Sequence, residues 1–148
     1  MKKKPVIITI VIVAVAAILI GGGIYLYPHL VERTISQVVD NDMTDVVKIE
    51  MRNGSNGNEV ELSDKASIEE ITGLFKNMKV RKCFNQMKAD GWSLGITMTT
   101  AGNEKINLSV GQTVNGEIYE YDNSVNITET IKYLKEKYGL NSEQLYAE

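Results

Sequence analysis

The chain has 148 residues, a formal net charge of −3 and one cysteine, Cys83. A single cysteine excludes a disulfide scaffold, so the fold is held by packing alone. Setting aside Lys2, Lys3 and Lys4 leaves 13 basic residues against 19 acidic ones, a balance that disfavours nucleic acid, whose phosphates need a basic face.

From Pro5 to Tyr27 no residue is charged. As a helix this run is ~34 Å long at ~1.5 Å per residue, against a hydrocarbon core of ~30 Å. In lipid every backbone N–H and C=O must bond within the segment, which forces the helix despite its many β-branched residues. Lys2, Lys3 and Lys4 precede the run and no lysine or arginine follows in residues 28–31, so the charge bias holds the N-terminus in the cytoplasm and sends the rest outside. Cleavage is the rival reading. The candidate cut at Ala14-Val15-Ala16 would leave a mature chain starting Ala17-Ile18-Leu19-Ile20, still oily, and the run exceeds the ~7–15 apolar residues of a signal core. Retention as an anchor is therefore expected, with Tyr25 and Tyr27 in the outer aromatic belt. Gly21 to Gly23 read as flexibility at the membrane exit; a close helix–helix approach through Ala17 and Gly21 is the rival.

The expected organisation is a cytoplasmic tip (1–4), a transmembrane anchor (5–27), a juxtamembrane stalk (28–45) and an extracytoplasmic α+β domain (46–148). In the stalk, Leu30, Val31, Thr34, Ile35, Val38 and Val39 share one side of a helix that Asp40-Asn41-Asp42 ends. A calcium loop starting at Asp40 would place Asp45 where glycine belongs and Met51 where glutamate belongs, so an exposed polar linker is expected there instead.

"VVKIEMR", "NGSNGN" and "EVEL" predict a hairpin pairing Met51 with Val60, Ile49 with Leu62 and Arg52 with Glu59, around a loop at Gly54–Gly57. Ile68, Ile71, Leu74, Phe75 and Met78 then recur at helical spacing. Either a Ser67/Glu70 capping box or Asp64 starts this helix, and Lys76, Lys79, Arg81 and Lys82 form its basic end. That end reads as a response to the helix dipole, with an acid-binding patch as the alternative. "SLGITMTT" and "KINLSV" alternate cleanly, and keeping both apolar sets on one side requires Met98 opposite Ile106 and an odd-length turn centred on Gly102. Asn115-Gly116 predicts a two-residue turn that pairs Gln112 with Tyr119 and Val110 with Tyr121. Ile127, Ile131, Leu134 and Tyr138 define a last helix with Asn126 as cap, Gly139 as stop and Leu140 beyond; "NSEQLY" is read as one more turn. The fold class is thus α+β: a transmembrane helix, then a two-layer domain with an antiparallel sheet of about five strands, ordered hairpin, helix, meander, helix, and covered by two amphipathic helices.

Reaction chemistry is sparse. The only histidine, His29, lies at the membrane exit, away from any expected pocket. Cys83 follows Arg81 and Lys82, which would lower a thiol pKa, but a lone cysteine reads first as a small core hydrophobe. One histidine and one cysteine are too few for a zinc site, no glycine loop cradles phosphate, and no carboxylate pair stands out, so no catalytic residue, metal or cofactor is expected. Asn53, Asn107 and Asn126 begin glycosylation sequons that an Asn-rich chain matches cheaply. Trp92, in "ADGWSLG", reads as core packing at a strand start, with a surface contact for a partner as the functional alternative.

With "MKKK" and its apolar run, "IEMRNGSNGNEVELSDKASIEEITGLF" and "GEIYEYDNS", the chain resembles the uncharacterised small membrane-anchored extracytoplasmic proteins of Gram-positive bacteria. The resemblance implies an envelope location and transfers no functional residue. The leading expectation is a non-enzymatic, membrane-tethered domain that binds another envelope protein or peptide through a sheet edge, at the first hairpin or the Asn115-Gly116 hairpin, or through a helix face. A surface inhibitor or immunity protein, its acidic domain suited to a basic target, and an envelope hydrolase with an unrecognised carboxylate site are the alternatives.

Overall fold

The computed structural model describes residues 3–87 and 91–141. Helix α1 (Lys3–Leu30) takes in the whole apolar run, and its stretch Val6–Leu30, with a mean hydropathy of 2.9, is long and apolar enough to cross a membrane. The most apolar 18 residues of that stretch leave none of their number buried against the rest of the chain. Covering an apolar side chain is worth ~1.5–3 kcal/mol, so a helix that leaves Val, Ile and Leu bare on all sides needs apolar surroundings from elsewhere.

Residues 33–39, expected in a helical stalk, are instead built into the folded body. Strand β1 (Arg33–Thr34) follows α1 after two residues, and helix α2 (Ile35–Val39) follows at once. Thr34 caps α2 with a reciprocal box, its Oγ1 accepting from Gln37 N and its own N–H donating to Gln37 Oε1. Ile35 is fully buried, and its N–H donates to the Met78 carbonyl at 2.9 Å. Apolar residues at helical spacing suggested one continuous helix, but Thr34 restarts the helical count as an N-cap and Ile35 turns into the core.

The remaining elements are β2 (Val46–Asn53), β3 (Glu59–Leu62), α3 (Lys65–Phe75), β4 (Lys79–Lys82), β5 (Leu94–Thr100), β6 (Lys105–Ser109), β7 (Thr113–Val114), β8 (Glu117–Tyr121) and α4 (Ile127–Lys137). All eight strands form one antiparallel sheet in the order β1-β4-β8-β7-β6-β5-β2-β3. The α+β class agrees with the expectation; among the described residues the strands number eight rather than about five. The first hairpin has the expected register, Met51 facing Val60 and Arg52 facing Glu59, and Met98 faces Ile106 as the apolar alternation requires.

Three strands escaped the sequence reading. β1 is two residues long. The residues of β4 stand where the sequence predicts the basic end of α3, but that helix ends at Phe75, and "KVRK" offers only Val80 to the core. β7 is split from β6 by a tight turn in which Gln112 N–H donates to the Ser109 carbonyl and Gly111 takes φ +82°. A Cβ at Gly111 would come within 2.9 Å of the Ile127 side chain, so α4 lies against this turn. The Asn115-Gly116 turn forms as expected, with φ +49° and +83° and Val114 facing Glu117. Tyr119 N–H reaches the Gln112 carbonyl, but the pairing stops there, and Val110 N–H turns away to the Leu94 carbonyl.

One face of the sheet carries the core, in which Ile49, Met51, Ile96, Met98 and Leu108 meet Ile71 and Phe75 of α3 and Leu134 of α4. Asp64, not Ser67, caps α3, its carboxylate accepting from Ser67 N–H. Glu70 reaches across to α4, accepting from Lys137, Tyr133 and Tyr138. Asn126 caps α4, and beyond its end Leu140 N–H closes on the Lys135 carbonyl. The further turn expected over "NSEQLY" lies, past Asn141, outside the described residues, as does Lys2.

Candidate functional site: the open sheet face around Trp92

Among the described residues no helix covers the second face of the sheet. Alternation along β2 and β3 sends Ile49, Met51 and Val60 inward and Lys48, Glu50, Arg52, Glu59 and Glu61 outward. These charges pair across the surface: Lys48 Nζ lies 3.4 Å from Glu50 and 3.5 Å from Glu61, and Arg52 lies 3.3 Å from Glu59. On the neighbouring strands Thr97 Oγ1 donates to Asn107 Oδ1 at 3.0 Å. The face is therefore dense in donors and acceptors yet nearly neutralised. Glu50 and Glu61 stand opposite one another and share Lys48 between them.

A shallow groove of about 740 Å³ runs over this face, with Trp92 in its lining. The indole is 38% exposed rather than packed in the core. Its seat is made by two residues without side chains. A Cβ on Gly54 would fall 1.8 Å from the Trp92 carbonyl oxygen, and one on Gly95 would fall 3.2 Å from the ring. The chain is pinned on either side: Gln112 Nε2 donates to the Gly91 carbonyl at 2.8 Å and Lys135 Nζ to Ser93 Oγ at 3.0 Å. Burial lowers the Lys135 amine below its ordinary value. The Ala89-Asp90 half of the turn signal before Trp92 lies outside the described residues. What the sequence concealed was the seat, because Gly54 and Gly95 read only as loop and strand residues.

The other candidates are dispersed. Arg81 pairs with Glu120 at 2.7 Å and Lys82 with Glu117 at 2.5 Å, so these members of the supposed acid-binding patch are spent on β8, along a strand rather than at a helix end. Hydrogen bonding to Lys82 holds the Glu117 carboxyl below its usual range. His29 is brought onto the segment around Cys83: its Nδ1 lies 3.1 Å from the Lys82 carbonyl and its ring stacks on Phe84. Cys83 itself is half-buried and free. In "DND", Asn41 Oδ1 accepts from Met43 N–H, and Asp42 Oδ1 accepts from both the N–H and the hydroxyl of Thr44. Those side chains cap their own loop. Among the described residues no group of three or more His, Cys, Asp or Glu is arranged to hold a metal ion.

The expected binding edges are also reduced. Both strands of the Asn115-Gly116 hairpin are internal, with β7 flanked by β6 and β8, and β8 by β7 and β4. Of the two hairpins, only the first presents an edge, at β3. The first sequon is blocked, since Asn53 is 2% exposed, and Asn126 is engaged as a helix cap. No family model, curated protein or solved structure matches the chain.

Proposed function

We propose that the protein is a single-pass, membrane-tethered binding domain without enzymatic activity, whose partner is another protein or peptide of the cell envelope. The observation that carries this reading is Trp92 held half-exposed on a bare, polar, charge-paired sheet face. An indole fixed over two glycines offers a large rigid contact at little entropic cost, and partly exposed tryptophans surrounded by polar groups are favoured binding anchors. Because the charges of the face are already paired, hydrogen bonding and shape, more than net acidity, select the partner.

Lys2, Lys3 and Lys4 before the apolar helix favour a cytoplasmic N-terminus and an outward domain, and a helix this long favours retention over cleavage. Labelling intact cells with an impermeant amine reagent is expected to reach Lys105 on the sheet face; labelling only after lysis reverses the topology. A photo-crosslinking residue at Thr97 is expected to capture a partner that one at Lys132, exposed on α4, does not, and Trp92→Ala is expected to abolish the capture. Equal capture from both positions, or capture indifferent to Trp92→Ala, removes the binding face from the proposal.

A further inference from the structure

The loop after β4 is held where α1 leaves its apolar stretch. Phe84 is 59% exposed, yet one side of its ring stacks on His29 of α1, with centroids 4.3 Å apart and planes 12° from parallel. His29 in turn meets Tyr25 one helical turn back, at 5.5 Å. His29 is itself 8% exposed, so the last turn of α1 is docked on the domain rather than merely joined to it.

The loop is also rigidly presented. Gln86 imitates a strand: its Oε1 accepts from Ile118 N–H at 2.8 Å, and its Nε2 donates to the Ile118 carbonyl at 3.1 Å and to the Cys83 carbonyl at 2.6 Å. Asn85 Oδ1 accepts from Met87 N–H at 2.9 Å. Four hydrogen bonds from two polar side chains, Gln86 and Asn85, thus serve to hold out two apolar ones, Phe84 and Met87, the latter 82% exposed. Tyr27 and Leu30 on α1, and Val31 just after it, are exposed as well.

We propose that this loop is a second membrane contact, with Phe84 seated in the headgroup layer of the bilayer that α1 crosses. The inference rests on reading α1 as a retained span. From Val6 to Tyr25 the helix rises ~30 Å, the thickness of the hydrocarbon core. His29, ~6 Å further on, then falls in the headgroup layer, and the ring stacked on it lies at the same depth. Aromatic rings are at home there, and Phe84 extends laterally the belt that Tyr25 and Tyr27 begin. The lipid surface is the occupant because the patch is continuous with the helix that enters it.

The test uses the full chain reconstituted in liposomes at low protein-to-lipid ratio, with the emission of native Trp92 as the baseline. Three variants each add one reporter: Ile18→Trp in mid-span, Phe84→Trp, and Met87→Trp, which displaces no packed side chain. Lipids brominated near the headgroup are expected to quench the added emission at 84 or 87, and lipids brominated deep in the acyl chain to quench Ile18→Trp. Quenching of Ile18→Trp without quenching at either loop position overturns the seating and leaves the span intact. No quenching at all three overturns the span and the seating together. A reporter at 84 shielded from aqueous acrylamide but untouched by brominated lipid also overturns the seating, since a protein surface then covers the loop.

Discussion

The carbonyl of Leu140 accepts a hydrogen bond from the side-chain amide of Asn53 at 2.9 Å, across 87 positions of sequence. Asn56 and Asn58 donate to the same oxygen at 3.0 and 3.3 Å. The hairpin loop of β2 and β3 therefore clasps the chain just after α4, fastening the last helix to the far end of the sheet. Asn53→Ala is expected to cost ~1–3 kcal/mol, because it removes a buried hydrogen bond and also the Oδ1 that accepts from Ser55 N–H. Asn56→Ala, at a more exposed position, is expected to cost ~0.5–1.5 kcal/mol. Urea unfolding of the detergent-solubilised chain measures both; equal, negligible costs would show that the clasp carries no stability.

Gly54→Ala puts a methyl group where the Trp92 carbonyl now lies, so the backbone at Trp92 must shift. Overpacking of this kind costs ~1–3 kcal/mol. Since Trp92 is the sole tryptophan, its emission reads the displacement directly. Gly54→Ala is expected to move the emission maximum more than Gly95→Ala, whose new methyl meets only the edge of the ring. The opposite ranking would mean that the indole seat is made mainly by Gly95.

Glu70 links the two helices, and hydrogen bonding from Lys137, then from Tyr133, holds its carboxyl below the ordinary value of 4.5. A carboxylate whose pKa is lowered on folding contributes stability above its unfolded value, and that contribution is lost as the pH falls through the folded one. Glu70→Gln is expected to be less stable than the parent at neutral pH and to converge with it in acid. Denaturation midpoints measured from neutral to acid pH test this; a constant offset would place the link outside the ionisation of Glu70.

Burial pushes the Tyr121 hydroxyl up to about 12 from an ordinary 10.0. The folded state therefore favours the neutral phenol, and its contribution is intact below pH 10 and lost as the pH rises through about 12. An ultraviolet absorbance titration is expected to show the parent ionising later than Tyr121→Phe over that alkaline window. Titration of Tyr121 with the exposed tyrosines would contradict its burial.

Strands with three or four inward apolar side chains were legible, register included. Ile49 and Met51 could meet Leu62 and Val60, and Met98 could meet Ile106, on one core face in only one alignment, because a slip by one residue would turn a whole set outward. Asn115-Gly116 and Asn126 declared themselves through local chemistry that needs no tertiary partner. What stayed hidden depends on distant chain. Val80 is the only apolar residue of β4 to reach the core, and that strand exists because β8 and β1 bond to it on either side. Ile35 looked like one more residue of a helical stripe until Met78 and Lys76 offered carbonyls to the N–H groups of Ile35 and Ser36. The seat of Trp92 was invisible for a simpler reason: it consists of missing side chains.

Only Val31 and Glu32 separate α1 from β1. A tether that short acts as a bracket and not as a leash. With α1 across a bilayer, the domain, whose radius of gyration is ~13 Å for about a hundred residues, has no slack with which to search the space above the lipid. Its catchment would then be the thin slab its own bulk occupies, and an encounter with the proposed partner would be a two-dimensional event among neighbours in the same surface.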